Sequence, residues 1–151
     1  MKNLRPRISF LLILAIPLIT LTCDSVTSPN KGLTVIASTS RQAFGSITFR
    51  IGVENSGLTT ETLKFGDSQF FDIEVQDLSG RPVWRWSYDK AFSQVVWGLE
   101  LSPGESSVQE TVWNLTGSDQ KPVSPGSYTA KIYITSSPRD ERLTSVVHLI
   151  I

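Results

Sequence analysis

Apolar and polar residues alternate along most of this chain, and the alternation has a period of two. Ile47, Phe49, Ile51 and Val53 are apolar, while Thr48, Arg50 and Glu54 lie between or beside them. Phe71, Ile73 and Val75 alternate with Asp72, Glu74 and Gln76, and Tyr128, Ala130, Ile132 and Ile134 with Thr129, Lys131, Tyr133 and Thr135. Successive side chains of a strand point to opposite faces, so each run predicts a half-buried strand. The last run, 146–151, is apolar on both faces. Further strands are expected at 33–39, 62–65, 83–87, 95–101 and 106–115. Turn formers separate the runs: Asn55-Ser56-Gly57, Gly66-Asp67, Ser79-Gly80, Pro103-Gly104 and Pro125-Gly126. Glycine and Asn tolerate positive φ and proline presets a turn. Little helical periodicity appears from Leu33 onward, and eight or nine short antiparallel strands at this spacing predict an all-β sandwich of immunoglobulin-like type.

The first residues follow a different pattern. Lys2, Arg5 and Arg7 precede an almost wholly apolar run, 8–21. The run is shorter than the roughly 20 residues of a membrane-spanning helix and fits a secretory signal peptide. Cys23 follows at once, and a polar stretch follows the cysteine. The string Ile19-Thr20-Leu21-Thr22-Cys23 resembles a bacterial lipoprotein signal, although Thr20 and Thr22 stand where that pattern prefers Leu and a small residue. The expected organisation is a signal at 1–22, a polar linker at 23–32 and one β-domain at 33–151. Cys23 is expected to carry a lipid anchor. Ordinary cleavage or a retained anchor is the alternative.

Charge and composition narrow the function. The 151 residues hold 14 basic and 14 acidic side chains. Removing Lys2, Arg5 and Arg7 leaves 11 basic against 14 acidic residues, a net charge of −3. Such a chain has no basic excess to hold a phosphate backbone, so nucleic acid is not an expected partner. One Cys and one His cannot build a zinc site of the usual kind or an internal disulfide. No cofactor is expected.

Nor do the residues form a catalytic constellation. His148 sits in an apolar terminal strand with no acidic neighbour in sequence, which reads as a packed or edge histidine. Asp67, Asp72, Glu74, Asp77 and Asp89 fall on outward strand positions or in turns and read as solvated charges. No phosphate loop or serine nucleophile elbow is present. Trp84 and Trp86, two apart, share one sheet face. They read as core aromatics, with a sugar platform as the alternative. Trp97 and Trp113 read as core. Tyr128, just after Pro125-Gly126, matches the tyrosine corner of sandwich folds.

An ordered set of motifs spans more than half the chain. It begins with Val53-Glu54-Asn55-Ser56-Gly57 and Leu63-Lys64-Phe65. Next come Gly66 to Val75, then Gly80-Arg81-Pro82-Val83-Trp84-Arg85-Trp86-Ser87 with Phe92. The set closes with Leu101-Ser102-Pro103-Gly104-Glu105-Ser106, Trp113 and Pro125-Gly126-Ser127-Tyr128. The stretch from about Phe49 to Ile134 resembles the intracellular proteinase inhibitor family, the BsuPI domain. The resemblance implies an immunoglobulin-like sandwich that acts by binding, with serine proteases as the partner class. It supplies no reactive-site residue. Two hydrophilic loops are the candidate partner-binding elements: residues 88–94 with Lys90 and Phe92, and residues 117–124 with Asp119 and Lys121. Either lysine has the charge to enter a trypsin-like pocket.

The expected function is therefore a non-catalytic protein-binding module of the cell envelope. Its partners are a protein, with a serine protease in view, and the membrane through its anchor. A structural or accessory envelope lipoprotein and a carbohydrate-binding domain are the alternatives.

Overall fold

The computed structural model describes residues 32–42 and 45–151. The segment expected to be a signal peptide, Cys23 and most of the expected linker lie outside the described residues. Among the described residues nine strands form: β1 (Leu33–Arg41), β2 (Ile47–Asn55), β3 (Glu61–Phe65), β4 (Phe71–Asp77), β5 (Pro82–Arg85), β6 (Trp97–Leu101), β7 (Ser106–Trp113), β8 (Ser127–Ile134) and β9 (Thr144–Ile150). One 3-10 turn, Glu141–Leu143, precedes β9 and buries Leu143 completely.

All pairings are antiparallel. One sheet has the order β1-β2-β7, a second β5-β4-β8-β9, and β3 pairs with β6 alone. The inward residues of these strands, among them Phe49, Ile51, Val53, Phe71, Ile73, Val75, Ala130, Ile132 and Ile134, form one core. This is the sandwich that the alternation predicts. The strand limits differ at several ends. β7 stops at Trp113 because Leu115 has a left-handed φ of 61°, which breaks a ladder. β6 begins at Trp97, leaving Val95 and Val96 outside it and exposed, Val96 by 78%.

β2 and β7 hand over to β3 and β6 across a break, and Asn55 holds that break together. It is 0% exposed. Its Nδ2 donates to Thr59 O at 2.7 Å and Leu101 O at 2.8 Å, and its Oδ1 accepts from Gly57 N at 2.9 Å. Its backbone N donates to Glu105 O, and its carbonyl accepts from Gly104 N. Pro103 and Gly104 (φ 78°) shape the facing turn, which Glu105 N closes onto Ser102 O at 2.9 Å. The Asn of Val-x-Asn-x-Gly and the Pro-Gly of Leu-x-Pro-Gly-Glu-Ser are therefore two halves of one junction.

The two open sides of the sandwich close differently. Near β1 and β9, Arg41 Nη1 donates to Ile150 O at 3.0 Å. Between the edge strands β5 and β7, the closure is aromatic. Trp84 stacks on Trp113 with centroids 5.1 Å apart and faces Phe49 at 6.3 Å. Trp86 lies 4.3 Å from Phe71, and its Nε1 donates to Thr111 Oγ1 at 3.0 Å.

Replacing Asn55 with Ala removes the side-chain partner of a buried carbonyl (Leu101), a part-buried carbonyl (Thr59) and a buried N–H (Gly57). At roughly 1–3 kcal/mol for a buried group left unsatisfied, the Asn55→Ala chain is expected to lose about 3 kcal/mol or more in a denaturant titration. A loss below about 1 kcal/mol would show that the junction does not depend on this side chain.

Candidate functional site

β5 is only four residues long, yet it roots both candidate loops. Its odd and even positions divide the labour. Trp84 faces the interior, as does Trp86 just beyond the strand, while Arg85 lies on the outer face beside Glu74 of β4. Below Arg85 sits Asp72, only 1% exposed. The expectation that Asp72 is a solvated charge is overturned. Its outward position in β4 follows the alternation, but Arg85, Ser87 and Tyr133 cover it.

The Asp72 carboxylate is fully hydrogen-bonded. Oδ2 accepts from Arg85 Nε at 2.8 Å, Ser87 Oγ at 2.7 Å and Tyr133 OH at 3.0 Å. Oδ1 accepts from Ile73 N at 2.9 Å and Ser87 N at 3.2 Å. Arg85 Nη2 also donates to Tyr133 OH at 2.6 Å. A buried carboxylate needs this saturation, because an unpaired one would be driven out of its charged form. The Asp72 hydrogen bond raises the Arg85 pKa further. Burial, reinforced by the Asp72 charge, raises that of the Tyr133 phenol. Arg85 thus stays a cation and Tyr133 a phenol that both donates and accepts.

The first loop, residues 86–96, leaves β5 through this network. Ser87 is held by Asp72 through both its N–H and its hydroxyl. Tyr88 N donates to Arg85 O and Lys90 N to Ser87 O, both at 3.2 Å. Lys90 lies over the Trp86 ring, its Nζ 5.0 Å from the centroid, and pairs with Asp89 at 3.6 Å. Phe92 packs on the same ring at 5.8 Å. Further along, Ser93 and Ser68 exchange hydrogen bonds at 2.9 Å. Two of the residues singled out in the sequence, Lys90 and Phe92, therefore anchor their own loop. The large hydrophobic residues this loop exposes are Tyr88, Val95 and Val96, which the sequence reading did not single out.

The second loop, residues 114–126, is a closed structure. Gly117 N donates to Lys121 O at 2.8 Å, Val123 N to Leu115 O at 2.8 Å, and Thr116 bridges to Pro122. Gln120 takes a left-handed φ of 64°. Asp119 Oδ1 accepts from Lys121 N at 3.1 Å, and the two side chains pair at 3.8 Å. Tyr128 OH donates to Ser124 O at 2.8 Å, the expected tyrosine corner. The loop is fastened to β5 by Ser118, whose N donates to Val83 O at 2.9 Å and whose Oγ accepts from Arg85 N at 3.2 Å. A Cβ at Gly117 would stand 2.8 Å from Asp119 Oδ1 and 3.0 Å from Val83 O, a tight fit that favours glycine.

The loops meet across a cleft of about 120 Å³ with Tyr88 and Asp89 on one wall and Asn114, Thr116 and Gln120 on the other. Lys121 projects outward with its side chain 80% exposed, against 38% for Lys90. The tight turn beside this region, between β4 and β5, is tied by Asp77. It accepts from Ser79 N and Oγ and from Arg81 N and Nε.

Other readings lose ground here. Trp84 and Trp86 are turned into the core and present no outward sugar platform. His148 is exposed on β9, the edge strand of its sheet, and no acidic side chain lies opposite it in the ladder with β8. Among the described residues no cluster of three or more His, Cys, Asp or Glu side chains is placed to hold a metal ion, and no helix is long and apolar enough to cross a membrane.

Fold and site together define a β-sandwich that carries two braced loops on one flank. Residues 33–139 match the model of the intracellular proteinase inhibitor family, BsuPI, and the chain belongs to that family. No curated protein sequence matches the chain. Among solved structures, the CARDB domain of a Pyrococcus furiosus protein, in complex with di-metal ions, is similar over 78% of this chain and 85% of its own. Identity is 14% and the TM-score 0.40. The β-glucosidase of Listeria innocua is similar over 78% of this chain and 16% of its own, at 14% identity and a TM-score of 0.42. That of Kluyveromyces marxianus covers 78% and 14%, at 14% identity and a TM-score of 0.43.

The four hydrogen bonds to Asp77, that from Ser79 Oγ foremost, hold its carboxyl down at about 2 rather than the ordinary 3.8. A depressed carboxylate stabilises the fold above its unfolded pKa, and this contribution is lost as pH falls from about 4 to about 2. Asp77→Asn is expected to lower stability at pH 7 and to flatten the stability profile in that acid window, read by unfolding curves at stepped pH. An unchanged acid limb would assign the window to other carboxylates.

Proposed function

We propose that this chain is a non-catalytic, protein-binding module that inhibits a serine protease, and that it works from the flank formed by loops 86–96 and 114–126. Family membership over residues 33–139 is the observation that carries this reading. The loop geometry supports it. Loop 114–126 is closed by its own hydrogen bonds, loop 86–96 is held by bonds to Asp72, Arg85 and Ser68, and both are fastened to the same strand, so little ordering remains to be done on binding.

The reading also says how inhibition would work. A substrate-like inhibitor offers an extended segment whose carbonyl is free to enter the oxyanion hole. The Lys121 carbonyl instead accepts from Gly117 N inside its hairpin, and Pro122 follows. Lys90 rests on Trp86. The chain would therefore obstruct the protease with a surface rather than with a bound scissile bond. Both lysines have local acidic partners, Asp89 and Asp119, so the flank has no strong field to steer association.

The anchor belongs to the same proposal. The chain enters the sandwich at Leu33, opposite Asn55, whereas loop 114–126 follows Trp113, opposite Ile47 at the far end of the β1-β2-β7 sheet. A lipid on Cys23 would leave that loop on the end of the sandwich away from the attachment. We infer an exported, envelope-located protein tethered in this way.

Titrating trypsin, chymotrypsin and subtilisin with the purified chain is expected to abolish activity of at least one at a one-to-one ratio. No loss with any of them would contradict the reading. Lys121→Ala is expected to weaken that inhibition by no more than about tenfold, the effect of a rim charge. A hundredfold loss would show a substrate-like mode. For the anchor, Cys23→Ala is expected to move the protein from the membrane fraction to the soluble one; unchanged fractionation would contradict lipidation.

A further inference from the structure

The two loops share more than a neighbouring position. Arg85 is bonded to both of them at once. Its backbone N–H donates to Ser118 Oγ of loop 114–126 at 3.2 Å. Its guanidinium donates to Asp72 at 2.8 Å, and that carboxylate grips the N–H and hydroxyl of Ser87, the root of loop 86–96. Tyr133 of β8 braces the far side through Arg85 Nη2 and Asp72 Oδ2. The path from Ser118 through Arg85 and Asp72 to Ser87 is therefore continuous, and each step is a hydrogen bond of 2.7–3.2 Å.

We propose that loops 86–96 and 114–126 form one coupled protein-binding surface, and that the buried Asp72 is its positioning residue, acting through Arg85 and Ser87 rather than by touching the partner. This deepens the proposed function and rests on it for the identity of the partner, a serine protease contacting both loops together. The coupling itself rests only on the geometry. Asp72 suits this role because it is saturated from three directions, from β5, from the loop root and from β8. An asparagine in its place keeps the shape but loses the charge, and it cannot accept on both atoms.

Coupling is reciprocal, so loosening either loop must loosen the other. The test is residue-resolved hydrogen exchange of the purified chain in two variants that approach the path from opposite ends. Asp72→Asn is expected to speed exchange of the Tyr88 and Lys90 amides about tenfold or more and, with them, that of Ser118 N–H. Ser118→Ala removes a surface hydroxyl that the core does not use. It is expected to speed the Tyr88 and Lys90 amides at least threefold while the amides of β2 stay unchanged. Acceleration confined to the substituted loop in Ser118→Ala would overturn the coupling, even if Asp72→Asn unfolds the domain globally. With a protease that the chain inhibits, both variants are expected to raise the inhibition constant at least tenfold with Ser118→Ala leaving the melting temperature within about 2 °C. Absence of inhibition by the unsubstituted chain would contradict the proposed function and leave the exchange result to decide the coupling.

Discussion

The aromatic closure between β5 and β7 is the constraint on which the rest of the molecule depends. A sandwich whose sheets end in different edge strands has an open flank, and here Trp84 of a four-residue strand and Trp86 just beyond it fill that flank. Truncating such a ring costs about 3–5 kcal/mol, whereas one hydrogen bond contributes about 1 kcal/mol net. The rings therefore fix where β5 runs, and the polar contacts act on a strand already in place. Because the side chains alternate, fixing Trp84 and Trp86 inward forces Arg85 outward over Asp72. The polar network is a consequence of the aromatic one.

From that placement the loops follow. One leaves the end of β5 and is held to it by Ser87, Lys90 and Phe92. The other arrives from β7 and docks by Ser118. Neither is a free excursion of chain, and their lysines and acids are largely satisfied within the loops. This favours a partner that reads shape over a wide area rather than one that captures a single side chain. It also separates the junction organised by Asn55, which is structural, from the flank organised by Arg85, which is the one proposed for binding.

Much of this was legible in the sequence, for identifiable reasons. Three of the strands follow from period-two alternation, the others from short apolar runs between turn formers, and the role of Tyr128 from its place after Pro-Gly. The burial of Asp72 is not legible in the sequence, because alternation reports which face a residue occupies, not what covers it. Its cover comes from Arg85 and Tyr133, 13 and 61 residues away. Val95 and Val96 fall within the expected strand 95–101, yet no partner strand reaches them. Lys90 and Phe92 drew attention as loop residues, and only the ring of Trp86 reveals that they brace the loop. Asn55 could have been singled out from its motif, since a polar residue between strand and glycine often bonds the backbone around it.

The central claim is that one flank, carried by β5, is the binding surface. The most direct measurement is a hydrogen-exchange footprint of the chain bound to a serine protease that it inhibits. The account predicts protection at residues 86–96 and 114–126 together, with the outer face of the β1-β2-β7 sheet unchanged. Protection of that outer face, or of the β8-β9 face around Val146 and Ile150, with both loops unchanged, would contradict it.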